Sequence, residues 1–249
     1  MKVIRAEEMG MCFGVRDALR ATQTVRDPTL VTIHGELVHN PHVARQLGEA
    51  GFRQSPEGSR EAAVSTPLVL ITAHGVSNAE RQRLAAANKA LIDTTCPLVR
   101  RAHEAAQELR AEGRHVLLVG QAGHVEVRGI VEDLDSYDVI EAPDDVGSYD
   151  SRRLGIVCQT TTPPDVVADV CARVRRRNPL ADVRVIDTVC RPTKLRQRAI
   201  LDLVRRVDAV VVVTDHAVVD YELVVEASQL VLDTRNALKA LASDKVVRL

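Results

Sequence analysis

Three cysteines, Cys12, Cys96 and Cys190, stand in settings that could present thiolates to a shared metal centre. Ala90 to Pro97 reads Ala-Leu-Ile-Asp-Thr-Thr-Cys-Pro, and Arg184 to Pro192 reads Arg-Val-Ile-Asp-Thr-Val-Cys-Arg-Pro. Each is an apolar strand, then Asp-Thr-x-Cys, then a proline at or near a first helical turn, with a basic helix-like segment behind it. A looser copy, Met11-Cys12-Phe13-Gly14-Val15, follows Val3-Ile4. All three cysteines are therefore expected where the carboxyl end of a strand feeds a helix. A helix amino terminus offers unpaired N–H groups and the positive end of the macrodipole, which favour a thiolate and improve it as a ligand. Structural zinc takes four ligands in closely spaced pairs, and these cysteines are far apart. Three of them suit a cubane iron–sulfur cluster whose fourth iron stays open. A zinc-stabilised module and plain core packing are the alternatives. Cys158, inside an apolar strand, and Cys171, on a helix, lack the shared context and are read as core residues.

A second set of chemically able residues lies in turns after apolar runs. His39 sits in Gly35-Glu36-Leu37-Val38-His39-Asn40, His74 in Ala73-His74-Gly75-Val76-Ser77, and His124 in Gly123-His124-Val125-Glu126-Val127. Ligands in open α/β sheets bind at strand carboxyl ends, so these histidines are candidates for one pocket. For any one of them alone, a capping or hydrogen-bonded turn histidine is the competing reading.

The elements that must position these residues alternate. Strands are expected over 30–33, 68–72, 90–93, 115–119, 154–158, 183–187 and 209–213. Helices are expected over 15–25, 41–50, 78–87, 97–112, 164–177 and 196–207. Such alternation predicts an α/β fold of parallel sheets with helices on their faces. The cysteine repeat divides the chain into three tandem α/β units, 1–95, 96–189 and 190–249, meeting at their strand ends. Residues 51–67, rich in Gly, Pro and Ser, read as a surface connection.

Hydrophobic residues make up 45% of the 249, but aromatics only 2%, so the core must be Val, Leu, Ile and Ala. The net charge of −1, with both signs interspersed, argues against nucleic acid or an anionic membrane as the partner. No stretch approaches the roughly 18–20 apolar residues of a membrane span, and the first residues lack the apolar segment of a secretion signal. With five cysteines and no export signal, a reducing cytoplasm is the expected location.

Seven segments occur in an order that resembles the 4-hydroxy-3-methylbut-2-enyl diphosphate reductase family, also called LytB. They are Gly10–Val15, Val38–Asn40, Ala73–Ser77, Asp93–Val99, Gly123–Val127, Gln159–Thr161 and the stretch from Cys190 to Gln197. The resemblance runs from Met1 to about Val213. It implies three α/β units around a central [4Fe–4S] cluster held by Cys12, Cys96 and Cys190. It further implies two-electron reductive dehydroxylation of an allylic alcohol, with Glu126 as proton donor or relay and Thr160 orienting the substrate hydroxyl. His124 would serve both the proton path and substrate binding, together with His39, His74 and Thr161. A ferredoxin or flavodoxin-type electron donor is expected from the family.

The resemblance weakens in the third unit. Where the family carries a phosphate-gripping Ser-x-Asn stretch, this chain has Val218-Val219-Asp220, and the family's later Ala-Gly-Ala-Ser segment is not found before Leu249. The third unit is therefore expected to be shortened, and the substrate to differ from the usual diphosphate. The standard isoprenoid reaction and a non-catalytic cluster-binding sensor or subunit are the alternatives. A short third unit also predicts a homo- or hetero-oligomer that covers its apolar surface.

Overall fold

A computed structural model describes residues 3–8, 10–58, 64–215 and 219–248. The β-branched and leucine-rich runs form strands because their side chains pack on a pleated surface buried on both faces. The intervening amphipathic runs form helices, several opened by Pro or by an Asn, Ser or Asp cap. In chain order these are α1 (Phe13–Gln23), β1 (Val31–His34), α2 (Pro41–Glu49), β2 (Arg53–Gln54), β3 (Leu68–Ile71), α3 (Asn78–Ala86), β4 (Ala90–Asp93) and α4 (Pro97–Ala111). Then come β5 (His115–Val119), α5 (Val125–Val131), β6 (Tyr137–Ile140), β7 (Arg153–Cys158), α6 (Pro164–Arg177) and β8 (Asp182–Ile186). The last are α7 (Arg191–Val204), β9 (Val210–Val212), α8 (Tyr221–Ala227), β10 (Val231–Asp233) and β11 (Val246–Arg248).

The strands make three parallel sheets, ordered β2-β1-β3-β4, β6-β5-β7-β8 and β11-β10-β9. The first two share one topology. In each, the two central strands are neighbours whose connections leave in opposite directions, which creates a switch point at their carboxyl ends. The fold is thus α/β with parallel sheets, as expected. The core is also as expected: Ile33, Leu70, Ile71, Leu117, Leu118, Leu154 and Ile156 are fully buried, and Phe52 is the one buried large aromatic among the described residues.

The chain forms two compact units. The larger comprises Met11–Thr160 and Val167–Thr188 and holds both four-stranded sheets; the smaller comprises Met1–Gly10, Thr161–Val166 and Val189–Leu249 and holds the third sheet.

The structure corrects the sequence reading in three places and adds elements it did not expect, α5, β6, α8, β10 and β11. Residues 3–8 carry no strand, and Val3 is 75% exposed, so Cys12 follows irregular chain rather than a strand end. Two residues of the supposed connection, Arg53 and Gln54, form the edge strand β2. Helix α7 begins at Arg191, directly after Cys190, rather than at Arg196.

Candidate functional site

The internal echo has a structural cause. Thr94 Oγ1 donates to the carbonyl of Ile71, the last residue of β3, at 2.6 Å. At the equivalent place Thr188 Oγ1 donates to the carbonyl of Cys158, the last residue of β7. In both sheets, therefore, the threonine of Asp-Thr-x-Cys ties the fourth strand's exit to the third strand's end. The cysteine two residues later is set at a helix start. Cys12, Cys96 and Cys190 occupy the N-cap positions of α1, α4 and α7. Cys96 N–H donates to the Ala73 carbonyl at 3.0 Å, fixing this junction to the loop that carries His74. The Cys190 sulfur accepts from Thr193 N–H at 3.5 Å and lies 3.1 Å from Thr193 Oγ1, contacts that would support a thiolate ligand.

A Cβ on Gly14 would lie 2.6 Å from Cys96 Sγ, so only glycine lets the first turn of α1 approach that thiol. The helix capped by Cys12 is thereby brought against Cys96. All three cysteines are partly exposed, whereas Cys158 and Cys171 are buried, and burial raises the Cys171 thiol. Each of these three thiols, at a helix start and partly exposed, suits an iron–sulfur ligand taken by itself, and Cys158 and Cys171 are buried as expected.

At the switch points of the two larger sheets the other candidates come together in two groups. His39 follows β1, His74 follows β3 and His124 follows β5. The His39 and His74 rings stack at 4.7 Å with 24° between planes, and each lies 5.6 Å from His124. One ring nitrogen of each falls within 4.8 Å of the others, a spacing that could serve a metal or an anion. The His124 tautomer favours the anion. His124 caps α5 by accepting Glu126 N–H on Nδ1 at 3.1 Å, so the ring proton sits on Nε2, which is then a donor and lacks the lone pair a metal needs. His39 Nδ1 lies 3.1 Å from Glu36 Oε2 and donates to it.

The second group is a buried acid. Glu126, 1% exposed, accepts Thr160 N–H on Oε1 at 2.6 Å and Thr160 Oγ1–H on Oε2 at 2.9 Å. Burial outweighs these two hydrogen bonds and pushes the Glu126 pKa up to about 7. The carboxyl is thus poised to hold and release a proton near neutrality. The two loops are locked by Gln159, whose Oε1 accepts Gln121 N–H at 3.0 Å. Thr161 lies in the smaller unit, as does Cys190.

Two buried groups were not singled out from sequence. His34, at the end of β1, is wholly buried with Nε2 2.7 Å from Glu80 Oε1. His103, on α4, packs between Gly75 and Gly129, and burial drops its pKa to about 4, so it is a neutral imidazole. His103 sits within an expected helix and His34 one residue past an expected strand, so no pattern set either apart. In the smaller unit, Asp220 caps α8 by accepting Leu223 N–H at 2.9 Å. Burial, and then the facing Asp220 carboxylate, raise the Asp165 pKa. Val218 lies outside the described residues.

Known proteins resemble this chain over most of its length. The family model described as LytB protein matches residues 3–234. A 4-hydroxy-3-methylbut-2-enyl diphosphate reductase of Trichlorobacter lovleyi is 35% identical over 220 residues, 86% of this chain and 75% of its own. The Aquifex aeolicus protein of that name is 31% identical over 219 residues, 85% of this chain and 74% of its own. A solved (E)-4-hydroxy-3-methyl-but-2-enyl diphosphate reductase, described as the terminal enzyme of the non-mevalonate pathway, superposes with a TM-score of 0.68 at 27% identity, covering 99% of this chain and 91% of the other. The Plasmodium falciparum structure shares the fold, with a TM-score of 0.75 at 24% identity over 98% of this chain and 80% of its own.

Proposed function

From its membership of the LytB protein family, to which this chain belongs, we propose that the protein is a reductase that removes the hydroxyl of an allylic alcohol. The reaction consumes two electrons and two protons: the C–O bond breaks, the oxygen leaves as water, and the carbon skeleton gains one hydrogen. Cys12, Cys96 and Cys190 would hold a [4Fe–4S] cluster, which supplies electrons and, at an iron without a protein ligand, Lewis acidity toward the departing oxygen. A ferredoxin or flavodoxin-type protein is the proposed electron donor. The same repeat of cysteine-capped helices supports a division into units 1–95, 96–189 and 190–249.

The observation that carries this reading is the buried Glu126–Thr160 pair. A carboxyl with a pKa of about 7 is substantially protonated at neutral pH and can protonate a leaving hydroxyl. Thr160 Oγ1 supports the acid and can turn to orient the substrate oxygen. An acid of this kind is superfluous in a sensor or an inert binding subunit.

Two observations bear on the rest of the substrate. His124 Nε2–H beside His39 and His74 supports an anionic head group, and hence the standard diphosphate. Within the smaller unit, Val219 offers no hydrogen-bonding side chain and the facing carboxylates of Asp165 and Asp220 oppose a polyanion, which supports a substrate other than the usual diphosphate. One assay separates the two: oxidation of reduced viologen by the anaerobically reconstituted protein, carrying about four irons per chain, on addition of 4-hydroxy-3-methylbut-2-enyl diphosphate. Rapid turnover establishes the standard reaction. A full cluster without turnover directs the search to allylic alcohols with another head group. A protein that takes up no iron refutes the proposal.

A further inference from the structure

The geometry points to the cluster of buried His34, Glu80 and the half-exposed Arg83 as the device that sets the spacing of His39 and His74, making His34 and Glu80 positioning residues for an anionic substrate head. The inference rests on the reading that these histidines hold such a head. His34 is the last residue of β1 and lies in register with Ile71, the last residue of β3. From these two points the chain leaves the sheet, five residues before His39 on one strand and three before His74 on the other. The His34 side chain is 0% exposed, and its Nε2 lies 2.7 Å from Oε1 of Glu80, itself 13% exposed. Glu80 sits in the first turn of α3, six residues beyond His74, and its N–H donates to the Ser77 cap at 3.0 Å. Arg83 grips the same carboxylate through both oxygens, Nε to Oε2 at 2.6 Å and Nη2 to Oε1 at 2.7 Å. The imidazole therefore joins the strand leading to one loop with the helix leading from the other.

A buried polar or ionic contact is poor evidence of stabilisation, because apolar residues of equal volume often do as well or better. Its best-attested use is to fix one register among several. Here the register it fixes belongs to the two loops whose rings stack at 4.7 Å.

The test measures inorganic diphosphate binding by calorimetry on the reconstituted protein, together with KM and kcat in the viologen assay. The wild-type protein binds inorganic diphosphate. His34→Leu weakens that binding and raises KM about tenfold, a misplacement-sized effect, while kcat stays within about twofold because Glu126 and Thr160 belong to the other sheet. His34→Gln, which can still donate to Glu80, restores most of both. Binding by His34→Leu as tight as wild type overturns the positioning role and leaves the proposed function standing. If wild type itself binds no diphosphate, the anion reading falls and this inference with it. Should His34→Leu not fold, Arg83→Met loosens the same carboxylate from its exposed side and must weaken diphosphate binding in the same direction; unchanged binding there also overturns the role.

Discussion

The two four-stranded sheets share a strand order and even a threonine lock, yet they place different chemistry at the same positions. After the first central strand, one sheet presents His39 and the other His124. After the second, one presents His74 and the other Thr160. The first sheet thus contributes two stacked imidazoles, with the buried His34–Glu80 contact behind them. The second contributes an imidazole whose proton is fixed by a helix cap and a carboxyl sealed from water. Under the proposed function, one scaffold used twice would supply most of the grip in the first copy and the proton in the second, so binding and proton transfer should be largely separable by mutation.

The sharpest break in the comparison is Glu126→Gln, which keeps the shape and removes the acid. Turnover should fall by ~10²–10⁴ with cluster content and diphosphate binding retained; comparable turnover would remove Glu126 from the mechanism. Gly14→Ala tests what precedes both sheets. A methyl group placed 2.6 Å from Cys96 Sγ must displace the thiol or α1, so iron per chain and the visible absorbance should drop to a small fraction of wild type. In the first sheet, His39→Ala should raise KM about tenfold with kcat nearly unchanged, the opposite split from Glu126→Gln. A parallel loss of kcat would show that the division of labour is wrong.

Smaller effects sharpen it. A donor whose pKa is about 7 is active when protonated, so the rate should decline as pH rises through that value. The Thr160 hydroxyl favours the ionised carboxyl, so Thr160→Val should move this limb to higher pH while lowering the rate. The same group affects stability. The raised pKa means that the folded state binds the proton more tightly than the unfolded one. The penalty is absent below pH 4.5 and complete above about 7, worth roughly 3 kcal/mol at about 1.4 kcal/mol per unit. Glu126→Gln should therefore be more stable than wild type at pH 8, in urea titrations, with a difference that vanishes near pH 4.

Much of this was readable before any coordinates. The Asp-Thr-x-Cys echo announced a repeated junction, and its threonines prove to perform the same hydrogen bond twice. Most helices and central strands fell within a few residues of their expected bounds, because continuous apolar runs and 3.6-residue periodicity are strong signals. The failures are local and physical. Val125 to Val131 alternates apolar and polar residues like a strand, yet His124 caps it as a helix. Strands β2 and β6 lie at sheet edges, where half-solvated residues such as Arg53, Gln54 and Asp138 carry no hydrophobic pattern. The His34–Glu80 pair spans 46 positions of sequence, and no short-range rule connects them. The approach of Gly14 to Cys96 is equally invisible, since a missing side chain announces nothing about what fills its space.

Parallel pairing, described above for all three sheets, also governs how the molecule comes into being. No neighbouring pair of strands can form as a local hairpin; each needs a crossover first, so loop closure precedes the contacts that reward it. Folding should accordingly be slow for a chain of this length. His39, His74 and His124, in the loops after strands, and Glu126, in the helix turn that follows, should acquire their neighbours only once the central strands have paired. The chemistry is thus withheld from every partly folded form, and the ordered site is itself a report that both sheets are complete.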